Sequence, residues 1–290
     1  YSRTQEASAD QAAVRLLCNN EIDPSFFITF LNKIENFDYR NIGKSQNYRS
    51  THPLIDNRKN WIKKSIQSFE NCGYESNKLM MKRFQLVKAK LHGFTHPHNE
   101  TIAVYNSNTD EDLYATAVSH YFQGHHKKSI DNLKLLIKKN PDNPYYKELL
   151  GEIYYVNNDF EQATNLQKQA NALIKELNDL YLMILGNYLL SYEDFDKSKE
   201  SIDFLKKSIN INRYNAHSWY LLARAYADIG ELSLANYATA ERYFLLGEEK
   251  LSYEFATKAL KNIEKNSPEW YRSYDLIEIL KNDILINKEN

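Results

Sequence analysis

Glu6 and Asp10 stand four residues apart in the opening stretch YSRTQEASADQAAVRLL. Its alanines and leucines form a helix with an apolar stripe. Both carboxylates therefore project from one helix face. Like charges at this spacing cost roughly a few tenths of a kcal/mol in an isolated helix, which a cation between or beyond them would offset. A solvated acidic pair is the other reading of the same spacing. The remaining candidate chemistry lies in eight histidines: His52, His92, His96, His98, His120, His125, His126 and His217. None belongs to H-E-x-x-H, the helical pair of imidazoles with a glutamate general base between them. His92, His96 and His98 crowd a Gly- and Pro-containing segment at a spacing that follows no helix face or familiar zinc framework, so the segment reads as a connection. His120, His125 and His126 fall at a turn between two helices and lack a neighbouring Glu at the required spacing. No G-x-S-x-G, phosphate loop, kinase set or C-x-x-C occurs.

The pattern S-R-x-x-E-A-x-A-D-x-x-A, from Ser2 to Ala13, resembles the helix that supplies the third zinc ligand in the HtpX/CAAX-prenyl-endopeptidase family of HExxH metallopeptidases, in particular its TPR-bearing BepA-like branch. The resemblance implies that Glu6 is the zinc-binding carboxylate and that Asp10 orients a ligand histidine. A second motif of that family, T/S-H-P-L-x-x-x-R, is matched by Thr51-His52-Pro53-Leu54 with Arg58 following. There the loop lies close to the metal, so the resemblance makes His52 a possible further ligand that holds the enzyme closed and places Arg58 beside the ligands. From its position alone, His52 is equally a helix-entry residue with a surface imidazole.

The elements that must carry these residues are helical. Only 8 Gly and 6 Pro in 290 residues, with 26% charged residues, favour an all-α protein, and the length allows about two domains. A net charge of −1 offers no basic surface for nucleic acid. No run approaches the roughly 18 apolar residues of a membrane span. The first residue is Tyr rather than Met and falls inside a helical motif, so the beginning of the protein, with the expected H-E-x-x-H and any signal peptide, is expected upstream. Cys18 and Cys72 permit one disulfide without demanding it; in apolar helical contexts a buried free thiol is the commoner state.

After Asn19-Asn20-Glu21, Asp23 caps a second helix with Pro24 at its first position and Phe26, Phe27, Phe30, Leu31 and Ile34 as its stripe. Residues 36–50 read as a loop. A third helix should run from Pro53 past Trp61, Ile62 and Ile66 to about Phe69, and a fourth from about Asn77 to Leu91 with Leu79, Met80, Phe84, Leu86, Val87 and Leu91 inward. The resemblance implies that residues 1–92, with these helices, are the C-terminal part of a metallopeptidase domain, and the Gly- and Pro-containing segment after them is expected to be a linker at 93–109.

From residue 110 to 290 an internal repeat appears. Ala117, Gly124 and Ser129 recur 34 residues later as Gly151, Asn158 and Ala163, which is the tetratricopeptide (TPR) period. A third unit begins near Gly186. In the fourth, Trp219, Leu222 and Tyr226 follow W-x-x-L-x-x-x-Y with Ala223, Gly230 and Ala235. The step of 37 from Gly186 to Ala223 leaves about three extra residues, expected between Ser191 and Ser201. Helices near 231–246, 248–264 and 268–284 should close the array. Recurrent tyrosines, Tyr121, Tyr145, Tyr146, Tyr154, Tyr155, Tyr181 and Tyr188, are expected mostly in inter-helix packing, some lining a concave groove suited to peptides.

Two functions fit this fold. One is a zinc metalloendopeptidase whose TPR-like α-solenoid binds protein or peptide substrates. The resemblance places it in the periplasm or bacterial envelope, in protein quality control, with the outer-membrane assembly machinery as a partner. The other is a non-catalytic TPR scaffold with a helical cap. In either case this segment alone is expected neither to hydrolyse protein nor to hold zinc tightly, since one carboxylate and at most one histidine fall short of three protein ligands.

Overall fold

In the computed structural model, residues 3–20, 22–41, 55–68, 78–174, 176 and 178–286 are described, and every regular element among them is an α-helix. The chain divides into two units, 1–89 and 90–290.

The first unit holds α1 (Arg3–Asn19), α2 (Ser25–Asn41), α3 (Ile55–Ser68) and most of α4 (Lys78–Thr95). Asp23 caps α2 as the sequence implied, its Oδ1 accepting from the Ser25 N–H at 2.8 Å. Val14 of α1, Leu31 of α2 and Ile62 of α3 make a small buried core, with Cys18, Phe27, Ile28, Trp61 and Ile66 packed on it. Phe26 and Phe30, by contrast, are exposed. Cys18 is disulfide-bonded, not the free thiol its apolar context favoured; Cys72 lies outside the described residues. The inward face expected for α4 is also corrected. Met80, Phe84, Val87 and Leu91 are exposed, and Ala89 is the buried position.

The second unit begins inside α4. Residues 93–109, expected as a linker, instead hold the end of α4 and a further helix, α5 (His98–Val104), which packs on α6 (Asp110–Phe122). Gly93 makes the docking possible, because a Cβ there would lie 2.3 Å from the Ala115 carbonyl oxygen. A Gly in this segment therefore marks close packing of helices, not a flexible joint.

Five antiparallel helix pairs follow: α6 with α7 (His126–Lys139), α8 (Pro144–Val156) with α9 (Phe160–Leu173), α10 (Asp179–Leu190) with α11 (Phe195–Ile211), α12 (Ala216–Asp228) with α13 (Leu232–Leu245), and α14 (Glu249–Ala259) with α15 (Pro268–Ile286). Their first helices begin at Asp110, Pro144, Asp179, Ala216 and Glu249, steps of 34, 35, 37 and 33 residues. This is a TPR-like α-solenoid, each pair burying its apolar faces against its neighbours. Short polar caps start most helices: Thr109 forms a reciprocal capping box with Asp112, and Asn143, Asp159, Asn178, Asp194 and Asn215 accept from the first turns they precede.

Small residues allow the paired helices to approach. Ser129 donates from Oγ to the Ala117 carbonyl at 2.6 Å, and a Cβ on Gly186 would stand 2.7 Å from Leu205 Cγ. The turn inside each of the first four pairs carries one residue of positive φ, at Gly124, Asn158, Glu193 and Gly230. In each case the next helix starts two residues later. The extra residues of the third pair therefore do not lie in the 191–201 turn. They lengthen α11, which has 17 residues where α7 and α9 have 14. Lengthening a helix by most of a turn satisfies its added backbone groups internally, so the insertion leaves the turn geometry intact.

The last helix closes the array with an ion pair whose carboxylate is buried. Arg272 of α15 donates from Nε and Nη2 to the two oxygens of Glu241 on α13, at 2.6 and 3.1 Å, and Glu241 is 2% exposed.

Candidate functional site

In the first unit, α1 presents Glu6 and Asp10 one helical turn apart, and α3 brings Arg58 to Asp10. Arg58 donates from Nε to Asp10 Oδ2 at 2.9 Å and from Nη2 to Oδ1 at 2.7 Å, a bidentate fork on a carboxylate that is 2% exposed. Each Asp10 oxygen keeps a second lone pair that can accept from an imidazole N–H. Three of the four residues singled out in the sequence thus come together in α1 and α3, on elements joined through the Val14–Leu31–Ile62 core. His52, the fourth, lies outside the described residues. The donor chemistry fits a zinc site in part: a carboxylate oxygen at Glu6 is a suitable ligand, and a buried carboxylate beside it can orient another. The imidazoles of such a site would have to come from elsewhere in the protein.

The second unit gathers histidines in a way that their order along the chain conceals. His98 is the first residue of α5, His120 lies in the last turn of α6, and His125 precedes α7. Their ring centroids are 4.9 Å (His98–His120), 5.6 Å (His98–His125) and 5.8 Å (His120–His125) apart. One ligand nitrogen from each ring lies within 4.8 Å of the others. The α6–α7 turn fixes two of the three. With Gly124 at φ +72°, its N–H donates to Tyr121 O and the His125 N–H donates to His120 O, both at 2.9 Å. That is the Schellman pattern, and it brings His125 back beside His120. Burial, with the His125 and Lys128 charges adding, holds His98 below its ordinary value. Burial first, then His98, Lys128 and His125, pushes His120 down to about 4.

The other histidines are engaged differently. His126 Nδ1 meets Asn157 Oδ1 at 2.7 Å. His92 and His96 stack on each other at 3.8 Å, with Thr101 Oγ1 3.3 Å from His92 Nδ1 and Thr95 Oγ1 2.9 Å from His96 Nδ1. Neither sequence triplet is therefore the spatial one.

Along the solenoid, the first helices of the first three pairs place Tyr121, Tyr155 and Tyr188 in succession. Tyr121 donates to Glu152 Oε1 at 3.0 Å, and Tyr155 stacks on Tyr188 at 4.5 Å. Tyr146 and Tyr188 are buried, Tyr154 and Tyr181 half-buried, and Tyr145 exposed, so packing accounts for most of this set.

Residues 1–66 match the family profile described as Peptidase family M48. The first unit is accordingly a metallopeptidase fragment, joined in this chain to a TPR-like helical region. No curated protein matches the chain. Among solved structures, one titled "Crystal structure of MamA" shares 17% identity over 60% of this chain and 97% of that one, with a TM-score of 0.44. YrrB, described as a TPR protein with an unusual peptide-binding site, shares 14% over 67% and 99%, TM-score 0.45. A thermophilic TPR protein from Thermus thermophilus shares 16% over 58% and 99%, TM-score 0.38. At these scores they add nothing to the helix pairing above, on which the fold assignment stands. No described helix is long and apolar enough to cross a membrane.

Proposed function

We propose that this chain is the C-terminal part of a zinc-dependent metalloendopeptidase in which Glu6 is the third protein ligand, Asp10 and Arg58 steady the ligand shell, and the TPR-like array recruits protein or peptide substrates. The observation that carries this reading is the Arg58 fork on Asp10, one turn from Glu6, within the part of the chain that matches a peptidase family. Zinc, when bound, would polarise the scissile carbonyl and activate a water. Glu6 would fill one coordination position. Asp10, fixed by Arg58, would accept the N–H of a ligand imidazole and so set that ring's tautomer and direction. His52 is proposed to approach the open position in a resting state. A repeated helical surface is well suited to an extended segment of another protein, because contacts add along the array. The disulfide at Cys18 supports an oxidising compartment, consistent with a role in envelope protein quality control.

Casein digestion by the complete protein and by its Glu6→Gln variant tests the reading. The variant should be inactive with its helical content unchanged, because a neutral amide is a poor zinc ligand. Full activity in Glu6→Gln would overturn the assignment.

A further inference from the structure

We propose that His98, His120 and His125 form a second metal site, independent of the peptidase reading, that takes a divalent transition ion, zinc in the first instance, and clamps α5 to the first helix pair of the solenoid.

The three rings come from three elements, which no short sequence motif would group: the start of α5, the end of α6 and the turn into α7. His120 is 9% exposed, and its Nδ1 is buried without a hydrogen-bond partner. An unsatisfied buried ring nitrogen costs stability, and a metal ion would satisfy it. His125 stands at the N-cap of α7 without using its side chain as a cap. His98 Nδ1 lies 2.8 Å from the hydroxyl of Ser119, itself 2% exposed. With that nitrogen donating to Ser119, Nε2 is left with its lone pair outward, the arrangement that holds a metal-binding imidazole in one tautomer.

Three neutral imidazoles without a carboxylate suit zinc, nickel or copper rather than calcium or magnesium. With zinc–nitrogen bonds of about 2.0–2.1 Å, tetrahedral ligand atoms stand roughly 3.3 Å apart. The present limit of 4.8 Å thus requires the rings to close by up to about 1.5 Å. His125, the exposed member of the three, is the ring with most room to move. Lys128 is the nearby opposing charge, since it also depresses His98 and His120. The site therefore selects a strongly held transition ion over a weakly held hard cation.

The test is calorimetric titration of the purified chain with zinc chloride after chelator treatment, repeated with cobalt(II) to read the visible bands of a tetrahedral nitrogen site. One equivalent should bind, with a rise in melting temperature and the cobalt bands. Glu6→Gln should bind identically. Ser119→Ala, which removes only the orienting hydroxyl, should weaken binding by about 10 to 100-fold, and His125→Ala by more. Both changes leave the helix pair's packing in place, as the circular dichroism of the metal-free proteins would confirm, so the result does not depend on whether a His120 variant folds. Absence of zinc binding in the unaltered chain, or equal affinity in His125→Ala, would overturn the site. Loss of binding in Glu6→Gln rather than His125→Ala would move the metal to the first unit and equally overturn it.

Discussion

Asp10 and Arg58 are 48 residues apart in the chain and form a two-bond fork at 2.9 and 2.7 Å, with the carboxylate buried and the guanidinium a quarter exposed. The pair ties α1, which carries Glu6, to α3. Asp10→Asn leaves Arg58 facing a neutral amide and should destabilise the first unit by about 2 to 3 kcal/mol, below the ~3–5 for a fully buried pair because Arg58 reaches water. Arg58→Lys should lose part of this, since an ammonium cannot reproduce the fork. Urea unfolding followed in the first unit checks both; unchanged midpoints would show the pair to be incidental.

Gly93→Ala should destabilise the second unit by about 1 to 3 kcal/mol through overpacking, because the new methyl meets the backbone oxygen of Ala115 rather than a side chain that can turn away. If the substitution instead raises the melting temperature, as Gly→Ala in an uncrowded helix would, α4 does not dock on α6.

At the far end, Glu241→Ala should cost about 2 to 3 kcal/mol, because it removes the carboxylate that accepts both Arg272 bonds and leaves that guanidinium, as exposed as Arg58, beside Arg213. The double variant Glu241→Met, Arg272→Leu should recover most of the loss. A double variant as unstable as the sum of the singles would contradict this reading of the pair.

Alkaline stability follows from the buried and half-buried tyrosines of the solenoid. Tyr114, Tyr121, Tyr146, Tyr181, Tyr188 and Tyr237 are all raised above the ordinary value near 10, burial being the largest cause in each. A group raised on folding contributes its stability below its unfolded value and loses it as pH climbs past that value, so the solenoid should weaken above about pH 10. Phenolate absorbance from these six should appear together with loss of helical signal. Their ionisation in a chain that keeps its helicity would contradict the burial.

Much of this was legible in the sequence. The 34-residue step and small residues at Ala117, Ser129, Gly151 and Gly186 pointed to the helix pairs, because close packing and turn geometry are local requirements that residue types record. The Asp10–Arg58 contact was legible only through a resemblance that set both residues beside one site. What escaped has physical causes. The three extra residues of the third repeat hid in α11 because a helix absorbs length without a turn signal. Gly93 and Pro97 looked like a linker because a Gly needed for close packing is the same letter as one needed for flexibility. His98 joins His120 and His125 only through the docking of α5 on α6, a tertiary relation that neither sequence triplet encodes. The expectation that this segment holds no zinc tightly counted only Glu6 and His52, and the histidine site proposed above is a separate one.

The most direct test of the central claim is the zinc content of the complete protein after dialysis against a mild chelator, measured with proteolysis for the unaltered protein, Glu6→Gln and His125→Ala. The account predicts two zinc ions in the unaltered protein. It predicts one ion without proteolysis in Glu6→Gln, and one ion with proteolysis retained in His125→Ala. A Glu6→Gln protein that keeps both its zinc and its activity would contradict the assignment of Glu6 as a ligand.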